Sequence, residues 1–103
     1  AAAAPFSGGY LGSWPKSQHK VPFLVGWGGK GDISNKQSFD QMAKDLLVML
    51  KDNGHEHAAC NHGQAHKWPK GATALVWDFL KGQTLSKPTQ PFGGKPPPAL
   101  CGP

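Results

Sequence analysis

The chain contains no arginine: all 11 of its basic residues are lysines, spread from Lys16 to Lys95 without a dense cluster. Nucleic-acid readers concentrate positive charge and use the planar fork of arginine for bidentate contacts. A balance of 11 basic to 6 acidic residues in this distribution therefore reads as solubility or mild attraction to anionic surfaces, and argues against a nucleic-acid partner. Long apolar runs are missing as well. No stretch approaches the roughly 18 apolar residues of a membrane-spanning helix. The opening A-A-A-A has neither a basic n-region nor a long apolar h-region. Cysteine is scarce: Cys60 and Cys101 are the only two, so at most one internal disulfide can form and no compartment is fixed by the count. One free thiol each is the plainer expectation. An initial methionine is also absent, and the first residues read as a buried strand, which points to a processed or truncated product of a longer precursor.

What is present is enough for one small domain. A chain of 103 residues buries only about 60–65% of the surface it exposes when unfolded, so its core is modest. Apolar runs alternate with glycine and proline. A-A-A-A-P-F at 1–6 reads as a short buried strand stopped by Ser7-Gly8-Gly9. V-P-F-L-V-G-W at 21–27 is continuous and apolar, as a strand covered on both faces would be, and G-G-K-G ends it. Phe39, Met42, Ala43, Leu46, Leu47 and Leu50 form one helical stripe. With Ser34 and Gln37 read as a capping box and Asn53-Gly54 as a stop, this predicts a helix over 35–53. H-E-H-A-A-C-N at 55–61 reads as a third strand. Ala72, Leu75, Val76, Phe79 and Leu80 predict a second helix over 71–81. Residues 83–103 are proline- and glycine-rich and read as an extended tail. The order strand, strand, helix, strand, helix implies an α/β fold: a small parallel three-stranded sheet joined by crossover helices.

In such sheets reactive groups gather at the carboxyl ends of the strands. Ser7 follows the first strand, Asp32 the second, and His66 the third, on the loop C-N-H-G-Q-A-H-K-W-P. A serine hydroxyl is a poor nucleophile at neutral pH, so acyl transfer needs a histidine to take its proton and a carboxylate to orient that histidine. The chain order Ser, Asp, His is that of the α/β-hydrolases.

On these residues the sequence resembles a family. P-F-L-V-G-W-G-G-K-G-D, the helix after it, and N-H-G-Q-A-H-K-W-P followed by V-W-D-F-L are similar to the C-terminal third of α/β-hydrolase esterases of the polyhydroxybutyrate depolymerase and feruloyl or acetylxylan esterase type, over about residues 1–82. The resemblance implies a secreted or periplasmic serine esterase that needs no cofactor and acts on a small ester. It places the triad aspartate on Asp32 and the triad histidine on His66, with Trp68 and Pro69 behind it and Gln64 where glycine is common. No Gly-x-Ser-x-Gly nucleophile elbow occurs, and Pro5-Phe6-Ser7-Gly8-Gly9 is the nearest match. Two versions stay open. Either the nucleophile lies in a missing N-terminal part, or Ser7 attacks the ester with the Gly8 N–H holding the oxyanion, while Trp27 and Trp68 line an acyl pocket.

Plainer readings stand beside these. Ser-Gly-Gly is ordinary turn chemistry, Asp32 suits the first turn of a helix, His62 rivals His66, and tryptophans near a small core pack more often than they bind. Ser34 reads as a cap and Ser38 as lying inside the helix, while Ser13, Ser17 and Ser86 sit in loops. His55, His57, Cys60, His62 and His66 offer zinc or copper ligands, although a strand pair and a later loop do not gather easily on one ion. A third class is an inactive fragment serving as an interaction module. Bare sheet edges predict self-association or pairing with a missing part.

Overall fold

The computed structural model describes residues 2–8, 20–83, 90–94 and 99–101. Its centre is the strand β1, Phe23–Trp27, buried along its whole length. Side chains alternate across a strand, and β1 uses both faces. Phe23, Val25 and Trp27 pack with Ala43, Leu46 and Leu50 of the helix α1, Phe39–Asp52. Leu24 joins Leu75 and Phe79 of the helix α2, Ala72–Lys81, on the opposite side. This two-sided burial is why the run is apolar without interruption.

Between β1 and α1 a 3-10 turn, Gly29–Gly31, leads to Asp32 and then to a minimal hairpin of β2, Ile33–Ser34, and β3, Gln37–Ser38. Asn35 and Lys36 at its tip both have positive φ, 51° and 64°, the backbone of a tight two-residue hairpin turn. The helix therefore begins four residues later than expected. Ser34 and Gln37 are paired across the hairpin and do not form a capping box. The cap is Ser38, whose hydroxyl accepts the Gln41 N–H at 3.3 Å. The stop holds: Asn53 caps the helix and Gly54 follows at φ 75°.

The strand β4, His57–Asn61, pairs parallel with β1 in the register Phe23↔His57 to Trp27↔Asn61. The sheet is thus parallel, but it has two strands and not three. The N-terminal segment lies along the other edge of β1 and touches it only through the bridges Ala3↔Phe23 and Phe6↔Gly26. Ala3 donates to the Pro22 carbonyl, Leu24 to Ala3, Gly26 to Pro5 and Ser7 to Gly26, at 2.8–3.0 Å. The rung that would run from residue 5 to the Leu24 carbonyl is absent because Pro5 has no N–H. One proline in mid-ladder reduces an expected strand to two bridges.

The C-terminal stretch is tied down at its described residues. Cys101 is bonded to Cys60 of β4, so neither thiol is free. Short 3-10 turns occur at Pro91–Gly94 and Ala99–Cys101, and Phe92 and Leu100 pack on the α2 side of the core. Among the described residues no helix is long and apolar enough to cross a membrane.

Candidate functional site

The site forms where β1 and β4 end. Gly28, directly after β1, permits it. A Cβ there would overlap the carbonyl of Ala65, so only a glycine lets the loop after β4 close over the strand end. The Ala65 N–H donates to the Gly28 carbonyl at 3.0 Å, and Gly63 and Ala65 take positive φ, 71° and 63°, as the loop turns back. From the β1 side the Asp32 backbone is fixed on both sides of its Cα: its N–H donates to the Gly29 carbonyl, and its carbonyl accepts the Phe39 N–H at 2.8 Å.

This framework brings Asp32 and His66 together across 34 residues. His66 Nδ1 lies 2.7 Å from Asp32 Oδ1. Asp32 is fully buried and the His66 side chain is 43% exposed. The second carboxylate oxygen, Oδ2, accepts the Gly28 N–H at 2.8 Å and the Ser7 hydroxyl at 2.7 Å. Burial pushes the Asp32 carboxyl upward, but the hydrogen bonds from Gly28, Ser7 and His66, with the charge of His66, outweigh it and hold the carboxyl below its ordinary value. An ionised Asp32 accepts the Nδ1 proton and fixes the tautomer, so the lone pair of the neutral ring is on Nε2. The ring is steadied by Phe39, stacked on it with centroids 4.9 Å apart and planes 23° from parallel. Nε2 has no partner among the described residues, and the ring lines a cleft of about 310 Å³ with Phe6, Ser7, Lys67 and Trp68.

The other expected residues divide. Ser7 reaches the site, but its hydroxyl donates to Asp32 where a nucleophile's would meet His66. Gly8 adjoins it in sequence and is not among the cleft's described walls. Trp68 lines the cleft, its indole N–H donating to Thr73 Oγ1 at 3.1 Å and its ring 5.0 Å from that of Phe6. Trp27 does not take part. It is buried in the α1 side of the core, and its indole N–H donates to Asp40 at 2.9 Å. The rival histidine, His62, is buried, with Nδ1 accepting the Gln64 N–H at 3.1 Å. The five residues weighed as metal ligands do not converge. Cys60 is spent in the disulfide, His55 Nδ1 accepts the Val21 N–H, His57 Nδ1 lies against the His55 carbonyl, and no group of three such side chains among the described residues is arranged for a metal. Phe39, Phe6 and Lys67 also border the site and carry no site signal in the sequence. Phe39 belongs to the helical stripe, and only adjacency to Ser7 and His66 marks the other two.

Fold and site together describe a small α/β unit with a carboxylate–imidazole pair at the ends of parallel strands. Compared with protein families, with curated proteins and with solved structures, the chain matches none.

Proposed function

We propose that Asp32 and His66 are the acid–base pair of a serine-route carboxylic ester hydrolase acting on short-chain esters. The observation that carries this is the 2.7 Å contact between His66 Nδ1 and a fully buried Asp32 carboxylate, which leaves Nε2 as the free base beside a cleft with apolar walls, Phe6 and Trp68. In this reading Nε2 takes the proton of a serine hydroxyl as it attacks the ester carbonyl. Asp32 stabilises the imidazolium so formed, and Nε2 returns the proton to the leaving alkoxide. Water then hydrolyses the acyl-enzyme by the same path. Because the Ser7 hydroxyl is committed to Asp32, the nucleophile is assigned to a serine outside the described residues, whether Ser13, Ser17 or Ser86 of this chain or one from a longer protein. The disulfide suits an oxidising compartment, which favours a secreted or periplasmic setting.

The test is hydrolysis of p-nitrophenyl acetate and butyrate, with fluorophosphonate labelling to locate the serine. His66→Ala is expected to abolish turnover. Asp32→Asn should lower kcat by about 10⁴-fold, the cost of the wrong histidine tautomer in a serine triad. Indifference to His66→Ala, or no hydrolysis by this chain or a longer form of it, rejects the reading.

A further inference from the structure

We infer that Ser7 is a positioning residue for the Asp32–His66 pair, holding the carboxylate so that Oδ1 faces His66, and is not the attacking hydroxyl. This deepens the hydrolase reading and rests on it for its catalytic meaning. Three observations converge on it. The Ser7 hydroxyl donates to Asp32 Oδ2 at 2.7 Å, on the oxygen that His66 does not use. Its backbone is fixed independently, since the Ser7 N–H donates to the Gly26 carbonyl at 2.8 Å. And Ser7 stands at φ 50°, in the left-handed region, where glycine is the residue without steric cost. A strained serine at such a place is explained when its side chain has a use that glycine lacks. Here the use is evident: with its two donors, Gly28 N–H and Ser7 O–H, Oδ2 is held from two sides, and rotation of the carboxylate about its Cβ–Cγ bond is blocked. A hydroxyl that already donates to a carboxylate is also not the one whose proton an imidazole is removing.

The experiment is an NMR titration of the Asp32 side-chain carboxyl carbon in the chain and in Ser7→Ala and Ser7→Gly, with the His66 Nδ1 proton followed in the same samples. Ser7→Ala removes only the hydroxyl. Ser7→Gly removes it and also relieves the backbone. If Ser7 positions Asp32, both variants titrate Asp32 at a higher pH than the parent, and the Nδ1 proton signal broadens or is lost through faster exchange. If Ser7 merely builds a turn, Ser7→Gly leaves both signals where they were, and the inference falls. Fluorophosphonate found on Ser7 overturns it as well. An Asp32 shift in both variants, with no ester hydrolysis by any form of the protein, upholds the positioning role and counts against the hydrolase reading, so the two failures are distinguishable.

Discussion

Gly28 and Ala65 meet so closely that no side-chain carbon fits between them, and this contact joins the two halves of the candidate site. Gly28 has φ −97°, a value any residue adopts, so its glycine is demanded by the neighbouring loop and not by its own backbone. Gly28→Ala must push Ala65 away and with it the loop that carries His66. Overpacking of this kind costs about 1–3 kcal/mol, and a domain of this size loses about 4–8 °C of Tm per kcal/mol. Under the proposed hydrolase reading, turnover should fall by a larger factor than the stability loss alone accounts for, because the Asp32–His66 contact is lost before the core is. Thermal melts alongside p-nitrophenyl butyrate turnover check this, and an unchanged Tm with full activity would count against it.

Asp32 makes a separate prediction about acid. Its carboxyl is held below the ordinary value in the folded state, so the unfolded chain binds the proton more readily. The stability this contributes is fully present above the unfolded value, near about 3.9, and is lost as pH falls through the lower folded one. Asp40, lowered by its hydrogen bond from Lys44 against its own partial burial, adds a slope of the same sign. Urea midpoints measured from pH 6 down to about 2 should drop steeply in the parent. Asp32→Asn should be less stable at neutral pH, yet flatter below pH 4.

Much of this was legible in the sequence, and the misses have local causes. The stripe of α1 was read correctly because Ala43, Leu46 and Leu50 are the residues it buries, and helical period is a property of neighbours. Its start was misplaced because Ser34 and Gln37 imitate a cap, whereas two residues at positive φ turn the chain into a hairpin first. The N-terminal strand expected over residues 1–6 failed on the N–H that Pro5 lacks, a rung visible only once Leu24 is known to face it. Asp32 and His66 were placed by strand ends and loop. Trp27 and Trp68 were indistinguishable by composition, and strand alternation sent the first into the α1 core. The bond between Cys60 and Cys101 depends on where residues 99–101 come to rest, which no local pattern encodes.

That disulfide carries its own prediction. It spans 41 residues, and loop-closure entropy for such a length corresponds to roughly 4 kcal/mol at most, with 2–4 kcal/mol typical. Cys60 and Cys101 are both buried beside Leu24, Leu75 and Phe79, so releasing residues 99–101 also opens that side of the core. Reduction with a phosphine, or Cys101→Ala, should lower the unfolding free energy extrapolated from urea melts by an amount in that range. The Asp32–His66 pair, at the strand ends, should survive at low denaturant. A reduced protein as stable as the oxidised one would show that the bond does not hold the C-terminal segment in place.

His62 gives the last prediction, and its sign is opposite to that usual for a paired histidine. Its Nδ1 accepts the Gln64 N–H at 3.1 Å, so the neutral ring carries its proton on Nε2, which is buried and has no hydrogen-bond partner. A second proton would have to go on Nδ1, displacing the Gln64 N–H, and would charge a buried ring. Burial is the main reason its pKa is lowered, with the positive charge of Lys67 adding to it and the negative charge of Asp32 opposing it. Because the unfolded chain protonates first, the stability tied to neutral His62 is complete above about pH 6.5 and declines as pH falls from there toward the lower folded value. The loop that carries His66 should loosen over the same interval. His62→Asn offers an uncharged acceptor to the Gln64 N–H and should remove the slope. The measurement is hydrogen exchange at the Gln64 amide, corrected for its intrinsic pH dependence, from pH 7.5 to 5. Protection should decrease with acidity in the parent and stay level in His62→Asn, and a parent profile as flat as the variant's would dismiss His62 as the titrating group.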